Sequence, residues 1–250
     1  MIGCILQARM SSTRLPGKIM MIIKNRPIID YVVTQLQFSK NIEKIVIATT
    51  DNQVDDLLID YATKKSISIF RGSEKDVLDR YYKCAKKYNF SIIVRITSDN
   101  PLIDPEIIDQ VITKFKSKNI DFISNEHPPT LPQGFAVEVF SFNALENSWK
   151  NAKKNSEREH VSPYMYNNPD LFKLYNMNFN TDLNHIRCTL DRENDFLFLE
   201  KLISSVEKQP ILLKDILEFV NKNPKSIEIN NHYIKNEGYI KSVNNDEKFE

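Results

Sequence analysis

Short apolar runs alternate with amphipathic stretches over the first half of the chain. Residues 2–6, 45–48, 67–70 and 92–96 are runs with the length and composition of buried strands. Between these runs, apolar side chains recur at three- and four-residue intervals, a spacing that predicts helices with one buried face. Buried strands that alternate with helices are typical of a mostly parallel sheet covered on both faces. The pattern therefore predicts an α/β fold.

The segments between the strands also contain residues that predict where each helix begins and which face it buries. Pro27 fits the first turn of the first helix, and Asp104 followed by Pro105 fits the N-cap and first residue of the fourth. Ser73 and Asp76 are expected to form a capping box at the start of the third helix, and Asp76 is expected to pair with Arg80 on the helix surface. The expected apolar faces are Ile28, Ile29, Val32, Val33 and Leu36; Val54, Leu57, Leu58, Tyr61 and Ala62; Val77, Leu78, Tyr81, Tyr82 and Ala85; and Ile107, Ile108, Val111, Ile112 and Phe115.

The regular alternation ends near residue 120. The expected elements after it are a proline-rich loop at 127–134, a strand at 135–140, helical stretches at 144–153 and 157–166, a strand at 171–178, and two helices leading to residue 220. Residues 120–180 are expected to form a lid, a dimerisation arm or both, within a single domain over residues 1–222. Residues 223–250 form a polar tail, for which docking over the site or on a partner subunit competes with fraying of the terminus.

Composition narrows the classes of partner and the cellular setting. The 250 residues carry a net charge of +1, which gives no bulk attraction to nucleic acid or to an anionic membrane. No apolar run approaches the roughly 20 residues of a membrane span, and the first residues lack the pattern of a signal peptide. Cys4, Cys84 and Cys188 are odd in number and far apart, which fits a reduced, cytoplasmic protein.

The segment after the first strand has the side chains that bind a polyphosphate. It offers hydroxyl donors that include Ser12, a guanidinium at Arg14 that can fork onto phosphate oxygens, and a compact charge at Lys18. Its order differs from that of a P-loop and of a dinucleotide-binding glycine motif. The alternative is a solvated basic surface loop.

Two carboxylates are candidates for a magnesium site. Asp99 follows the fourth strand, and Mg²⁺ binds through one or two carboxylates together with phosphate oxygens and water. The alternative for Asp99 is an Asx-turn ahead of Pro101. Asp191 is a second candidate ligand, and it is also a candidate N-cap of the helix that follows. Arg71, at the end of the third strand, is placed to meet the ribose or the base.

Several stretches together resemble a known family, the SpsF-type spore-coat polysaccharide cytidylyltransferases. These enzymes are relatives of the synthetases that make CMP-Kdo and CMP-sialic acids. The matching stretches are residues 7–18 (QARMSSTRLPGK), 47–50, 70–82 and 94–104, with 137–141, 157–161 and 189–191 extending the match over roughly residues 1–205.

The resemblance implies both a fold and a reaction. The fold is a Rossmann-like, GT-A-like nucleotidyltransferase of three layers, with a mostly parallel sheet and a dimerisation or lid insertion. The reaction is transfer of CMP from CTP to a sugar with release of pyrophosphate, in a homodimer. The expected acceptor is a sugar acid of the Kdo or nonulosonic-acid type, activated for surface polysaccharide synthesis.

The resemblance also assigns roles by matched position. Arg14 and Lys18 would grip the triphosphate and act with Asp99 in catalysis, and Asp99 and Asp191 would bind Mg²⁺. The expected nucleotide-binding residues are Gln7, Ala8, Arg9, Ser12, Arg14, Lys18, Arg71, Thr97 and Ser98. The expected acceptor-side residues are Glu138, Arg158 and His160, and for His160 a solvated helix face is the alternative.

Other functions fit part of the same pattern. One alternative enzyme has the same fold but uses another nucleotide such as GTP, or a sugar 1-phosphate acceptor, since one fold serves many reactions. A nucleotide-sugar-binding scaffold without turnover is the non-enzymatic alternative. A glycosyltransferase is weaker, because the chain has Asp99-Asn100-Pro101 where an Asp-x-Asp metal motif is expected.

Overall fold

The described part of the chain is residues 1–246. The structure is a computed structural model. Residues 247–250, the end of the predicted C-terminal tail, lie outside the described residues. Between residues 1 and 246, no helix combines the length and the apolar composition that crossing a lipid bilayer requires.

The strands of the described residues form one large sheet and one small hairpin. They are β1 (Ile2–Gln7), β2 (Ile22–Ile23), β3 (Arg26–Pro27), β4 (Lys44–Thr50), β5 (Ser68–Gly72), β6 (Ile92–Thr97), β7 (Phe122–Ser124), β8 (Glu138–Ser141) and β9 (Leu174–Asn176). The large sheet has the order β5-β4-β1-β6-β8-β7-β9, and β2 pairs with β3. Strands β5, β4, β1 and β6 are parallel, β8 is antiparallel to β6 and β7, and β9 is parallel to β7. The predicted mostly parallel sheet is confirmed.

Helices cover the sheet. They are α1 (Ile28–Gln37), α2 (Asp56–Lys64), α3 (Val77–Lys87), α4 (Pro105–Ser117), α5 (Phe142–Asn151), α6 (Asn155–His160), α7 (Pro163–Tyr166), α8 (Glu193–Ser205), α9 (Leu213–Lys222) and α10 (Glu237–Asp246). Asp104 caps α4, accepting a 2.7 Å hydrogen bond from the Glu106 backbone N–H, with Pro105 as the first residue. This is the predicted start. Pro27 is the N-cap of α1 rather than a residue of its first turn.

Alternation along β1 divides the apolar core into two layers. Cys4 and Leu6 pack on the face that carries α1 and α4, and Ile5 packs on the opposite face with Tyr81 of α3. All four side chains are fully buried. Truncating an Ile in such a core to Ala costs about 2–5 kcal/mol, because the lost contacts are not replaced. The predicted three-layer arrangement is thereby observed, with the sheet between two helical layers.

Three details of the sequence-based prediction were wrong. Val54 and Leu57 are each 51% exposed, because a 3-10 turn precedes α2 and rotates them away from the core. The helix predicted at 157–166 is divided into α6 and α7 at Val161, where φ is +72°. The strand predicted at 135–140 begins only at Glu138, and its partner β7 was not predicted.

The described part of the C-terminal tail is folded. A 3-10 helix at Pro224–Ile229 follows α9, and α10 then packs against α6. Ser156 at the start of α6 donates its backbone N–H to the Asp246 carboxylate at 2.9 Å. The C-terminal helix is therefore attached to the main body of the protein near the carboxyl edge of the sheet.

Candidate active site

A cavity lies at the carboxyl edge of the parallel strands. Gln7, which ends β1, is in register with Thr97, which ends β6, so the loops after both strands emerge together. Ligands of parallel α/β sheets bind outside the carboxyl ends of the strands. The cavity here has a volume of about 370 Å³, and its walls come from these two loops, from α6 and from α10.

The loop after β1 is held in one shape by a buried carboxylate. The Met10 N–H donates to Asp55 Oδ1 at 2.7 Å, and the Thr50 N–H donates to Asp55 Oδ2 at 3.2 Å. The loop then closes on itself, because the Gly17 N–H donates to the Met10 carbonyl at 3.0 Å. Gly17 has φ of +69°, a conformation that glycine adopts at the lowest cost. The loop therefore presents the side chains of its second half to the cavity in a fixed arrangement.

Lys18 is the centre of the charged cluster. Its Nζ lies 3.0 Å from Asp99 Oδ2, 2.8 Å from Asp191 Oδ1 and 2.6 Å from the Leu190 carbonyl oxygen. Arg14 Nη2 lies 2.5 Å from the same Asp191 oxygen. Side chains up to 177 residues apart in sequence thus converge on one point. Lys18, Arg14 and Asp99 also line the cavity.

The charges in this cluster stabilise one another against burial. Burial by itself would raise the pKa of Asp191, but the Lys18 ammonium and the Arg14 guanidinium outweigh it and hold that pKa far below its usual range. Burial would lower the pKa of Lys18, and Asp99 and Asp191 together raise it instead. The Asp191 carboxylate and the Lys18 ammonium are therefore charged at neutral pH.

Asp191 is positioned by a second, deeper network. The carboxylate of Asp195 is fully buried, and it accepts a 2.9 Å hydrogen bond from the Asp191 N–H. The same carboxylate binds Arg187 Nε at 2.7 Å and Asn230 Nδ2 at 2.9 Å. Asp195, at the third position of α8, thus caps that helix, whereas Asp191 had been a candidate N-cap. Asp191 is left free to face Lys18 and Arg14.

The two carboxylates fit a magnesium ion that also binds phosphate. Within residues 1–246, no three His, Cys, Asp or Glu side chains form a metal-binding group. Asp99 and Asp191, however, approach one cation, Lys18, closely enough to share it. Mg²⁺ is commonly bound by one or two carboxylates while substrate phosphates and waters complete its octahedron. The donor set fits an ion brought in with a nucleotide rather than a metal held by protein alone.

Most of the predicted nucleotide-binding residues line the cavity. Those that do are Gln7, Arg9, Ser12, Arg14, Lys18, Thr97 and Ser98. Gln7 Oε1 is buried and accepts no hydrogen bond from the described residues. Arg9 Nη1 lies 3.5 Å from Glu74 Oε1, so the loop after β5 helps to hold it. The structure therefore brings seven of the nine predicted nucleotide-binding residues together at one cavity.

Ala8 and Arg71 are placed differently. Ala8 is 1% exposed and contributes a backbone hydrogen bond to β4 instead of a surface of the cavity. Arg71 lies outside the cavity lining, although it had been expected to meet the ribose or the base. Its guanidinium donates to the carbonyls of Thr50 and Asn52 at 3.0 Å each, and Nη1 lies 2.7 Å from Asp56. Arg71 thus holds the loop after β4.

Glu138, predicted on the acceptor side, is paired inside the protein. Its Oε2 lies 2.9 Å from Arg95 Nη1, and its Oε1 accepts a 2.9 Å hydrogen bond from Ser162 Oγ. Only 8% of the Glu138 side chain is exposed. Arg95 and Glu138 face each other across β6 and β8, because these residues are in register. Glu138 is therefore placed beneath the cavity wall, not on it.

Arg158 also forms its contacts within the body of the protein. Its Nε lies 3.0 Å from Asp76 Oδ1, and its Nη1 donates to the Trp149 carbonyl at 2.7 Å. The expected surface pair of Asp76 with Arg80 is wrong, since Arg80 is fully buried and donates to the Ser73 carbonyl at 2.9 Å. Ser73 Oγ accepts the Asp76 N–H at 3.0 Å, as expected of the capping box, but the N-cap of α3 is Asp76 itself, which also joins α3 to α6.

His160 is covered by the C-terminal helix. Its Nε2 lies 3.0 Å from Ser242 Oγ, and the Tyr239 ring packs edge-on at 5.2 Å between centroids. Burial is the main reason that the pKa of His160 is lowered; Arg95 adds to the shift and Glu159 opposes it. The neighbouring Glu159, and not His160, lines the cavity.

Known proteins match this chain over almost its whole length. A model of the cytidylyltransferase family matches residues 3–237. The chain belongs to the cytidylyltransferase family. The spore coat polysaccharide biosynthesis protein SpsF of Bacillus subtilis is 31% identical over 228 residues, covering 88% of this chain and 94% of that protein.

Solved structures agree with the family assignment. The structure of a cytidylyltransferase from Leptospira borgpetersenii serovar Hardjo-bovis is 36% identical, with a TM-score of 0.88, covering 93% of this chain and 98% of that one. A CMP:2-keto-3-deoxy-manno-octonic acid synthetase in complex with CTP shares the fold at 13% identity, with a TM-score of 0.63, covering 82% and 98% of the two chains. The expected nucleotidyltransferase fold is confirmed.

Sequence reasoning missed two parts of this cytidylyltransferase site. One is the buried pair of Arg187 and Asp195, which sets the position of Asp191. The two residues are eight positions apart and Arg187 precedes α8, so no helical spacing in the sequence indicates the pair. The other is α10, whose wall residues are Gly238, Lys241, Ser242 and Asn245. The tail mixes aromatic residues with lysines, such as Tyr239 with Lys241, but nothing in this pattern specifies the surface that the helix covers.

Proposed function

We propose that this cytidylyltransferase transfers CMP from CTP to a sugar acid of the Kdo or nonulosonic-acid type, releasing pyrophosphate, for surface polysaccharide synthesis. The observation that carries the proposal is the position of Lys18 between Asp99 and Asp191, with Arg14 on the same carboxylate, at the wall of the cavity. Two cations and two carboxylates at the carboxyl edge of β1 and β6 suit a triphosphate with its metal ion.

The relatives supply the choice of nucleotide and acceptor class. SpsF takes part in spore coat polysaccharide biosynthesis, and the synthetase with the shared fold was solved with CTP and makes a CMP-linked sugar acid. The second name supports CTP and an acidic sugar acceptor, and the first supports a role in polysaccharide synthesis. The proposal for this chain therefore rests on two kinds of support, the names of these relatives and the charged cluster around Lys18.

The reaction needs positioning and charge stabilisation rather than a protein nucleophile. An acceptor hydroxyl oxygen bonds to the α-phosphorus of CTP while the bond from that phosphorus to the bridging oxygen breaks. Pyrophosphate leaves with the electron pair, and the hydroxyl proton passes to solvent. Lys18 and Arg14 hold the phosphates in line and stabilise the negative charge that builds on the leaving oxygen.

Asp99 and Asp191 are the residues that would hold Mg²⁺. When bound, the ion neutralises charge on the α-phosphate and on the departing pyrophosphate. Lys18, whose ammonium lies between the two carboxylates at the cavity wall, would bind phosphate oxygens of the same nucleotide. The pairs seen among these side chains thus keep the site charged and ordered before the nucleotide arrives.

The decisive experiment measures pyrophosphate release with each of the four nucleoside triphosphates against a panel of acceptors. The panel contains 2-keto-3-deoxy-manno-octonic acid, N-acetylneuraminic acid and a set of sugar 1-phosphates. We expect turnover with CTP and a sugar acid, and loss of turnover when EDTA removes Mg²⁺. Turnover with GTP, or with a sugar 1-phosphate only, would replace this proposal by the alternative enzyme. CTP binding without turnover on any acceptor would favour the scaffold.

The homodimer and the cytoplasmic setting stay predictions. Light scattering of the purified protein tests the first, with a mass near twice 29.2 kDa as the expected result. The three cysteines are free and buried, which is compatible with a reducing compartment. Localisation of the tagged full chain by fractionation tests the second prediction.

A further inference from the structure

The C-terminal helix α10 forms the wall of the cavity opposite the triphosphate-binding loop. Its contribution consists of Gly238, Lys241, Ser242 and Asn245, all of which face the same space as Arg14. The contact is close, since a Cβ added to Gly238 would lie 3.5 Å from Arg14 Nη1. The family match ends at residue 237, where α10 begins. This wall therefore lies outside the part of the chain that the family model describes.

Contacts at both ends and in the middle hold α10 in this position. Glu237 Oε2 lies 2.7 Å from Arg192 Nη2 at the first turn, and the Asp246 carboxylate accepts the Ser156 N–H at the last. Between them, Ser242 Oγ donates to Glu159 Oε2 at 2.7 Å. The Arg192 contact uses Glu237 Oε2, whereas the Lys241 ammonium contacts Glu237 Oε1, and the Asn245 amide takes part in none of the three contacts. The helix can therefore keep its place when those two side chains are changed.

The three residues that sequence reasoning assigned to the acceptor do not line the cavity. Glu138 and Arg158 are paired within the body, and His160 lies beneath Ser242 and Tyr239. An acceptor that reaches the α-phosphorus from the side opposite the strand ends would instead meet α10 and Glu159.

The exposed groups on this wall match an acidic sugar. Lys241 Nζ has a 2.7 Å contact with Glu237 on the same helix, and 66% of its side chain is exposed, so its ammonium can turn to a ligand carboxylate. Asn245 offers both donors and an acceptor to hydroxyl groups. Exposed ion pairs along a helix contribute little to stability, so exchanging the Glu237 contact for a ligand costs little.

We propose that α10 is the acceptor-binding wall of the active site, and that Lys241 and Asn245 determine acceptor specificity by binding the carboxylate and hydroxyl groups of a sugar acid. The proposal rests on the proposed function and adds the residues that select its second substrate. Under this proposal, residues of α10 that follow the end of the family match select the acceptor.

The test separates the Michaelis constants of the two substrates in the full-length protein. Lys241→Ala and Asn245→Ala are compared with matched controls, Lys222→Ala and Asn244→Ala. Lys222 forms the same kind of Lys–Glu pair one turn apart on α9, and Asn244 is exposed but does not line the cavity. The probe is the panel sugar acid on which the wild type is fastest. We expect Lys241→Ala to raise KM for that acid about tenfold or more and to change KM for CTP less than twofold.

A methyl ester of the same sugar acid tests whether Lys241 binds the carboxylate of the acceptor. The wild type is expected to prefer the acid over the ester, and Lys241→Ala is expected to lose most of this preference, because the charge that recognised the carboxylate is gone. Lys222→Ala is expected to keep it. A helix that serves only as a structural support would lower activity on acid and ester equally.

Two results would overturn the inference while the proposed function stands. One is an unchanged KM for the acid in both variants, and the other is a rise in KM for CTP that equals or exceeds the rise for the acid. A wild type that turns over CTP with no sugar acid in the panel would defeat the proposed function itself, together with this inference. Calorimetric titration with CTP alone distinguishes these cases, since Lys241→Ala is expected to bind it as the wild type does.

Discussion

The two halves of the sheet use their charged side chains in opposite ways. On the nucleotide side, Lys18 and Arg14 converge with Asp191 at the cavity, and their partners come from distant parts of the chain. On the side formed after residue 120, Glu138 and Arg158 are equally well paired, but away from the cavity lining. The same residue types therefore prepare a site in one half and join structural elements in the other.

A charged side chain that is to bind substrate therefore needs access to the cavity as well as a suitable motif. Lys18 keeps its partners at the wall of the cavity, where a ligand can replace them. Glu138 has no such access, because Arg95 and Ser162 enclose it. Substitutions in the two halves are therefore expected to change different measurable quantities, turnover in the first and the free energy of unfolding in the second.

The largest effect is expected from Lys18→Ala. Loss of a preorganised cation that stabilises the leaving group lowers kcat about 10²- to 10³-fold, and Asp99→Asn is expected to lower turnover comparably. Pyrophosphate release measures the loss, and thermal unfolding checks that the variants are folded. Lys116→Ala, at an exposed position on α4, is the control that keeps wild-type turnover. Full activity in either site variant would refute the assignment of the triphosphate site.

In the other half, Glu138→Ala is expected to lower the free energy of unfolding. Removing one partner of a buried ion pair leaves the Arg95 guanidinium uncompensated and costs about 3 kcal/mol of unfolding free energy. Urea denaturation measures this cost, with Glu200→Ala at an exposed position of α8 as the control. Affinity for CTP in the folded fraction is expected to stay close to that of the wild type. A variant with unchanged stability and a weakened KM for the acceptor would show that Glu138 binds substrate after all.

Acidification is expected to reduce the contribution of Asp191 to the free energy of unfolding, because the carboxylate becomes protonated. The pKa of Asp191 is lowered in the folded protein, so its stabilising contribution is complete above the unfolded value of about 3.9 and is lost as the pH falls through the lower, folded value. The difference in unfolding free energy between the wild type and Asp191→Asn is therefore expected to be constant between pH 5 and pH 8 and to shrink below about pH 4. Urea titrations across this range measure it. A difference that grows on acidification would contradict the ion-pair geometry.

Glu126 in the other half should show the opposite and smaller pH dependence. Burial and the nearby Glu138 carboxylate raise the pKa of Glu126 to about 7. A raised carboxyl pKa makes the ionised form costly in the folded state, so wild-type stability falls as the pH rises from about 4 towards 7. Glu126→Gln is expected to raise the melting temperature more at pH 8 than at pH 5, and the exposed Glu228→Gln is expected to change neither.

Local sequence patterns predicted most of the nucleotide half, because its strands are continuous apolar runs and its loops follow them directly. The register that joins Gln7 to Thr97 follows from adjacent parallel strands, and so does the approach of Lys18 to Asp99. The half of the sheet formed after residue 120 was less predictable for a physical reason. Strand β7 has three residues, too few to display a period, and Asp76 finds its partner Arg158 82 residues away.

The C-terminal helix was the least predictable element of the site. Only one residue of α10, Ser242, is buried in the described structure, so the helix shows no apolar stripe that a sequence pattern can reveal. Its position depends on specific polar contacts, such as that of Glu237 with Arg192. Polar contacts between distant segments leave no periodic signal, whereas an apolar face does.

The buried carboxylate of Asp195 has a consequence for synthesis on the ribosome. It ties the segment that holds Asp191 to Asn230, so the cluster around Lys18 needs residues from both ends of the chain. A nascent chain that has already formed β1 and its loop still lacks half of the binding groups. The complete network around Lys18 therefore forms only once Asn230 has been synthesised and has reached Asp195.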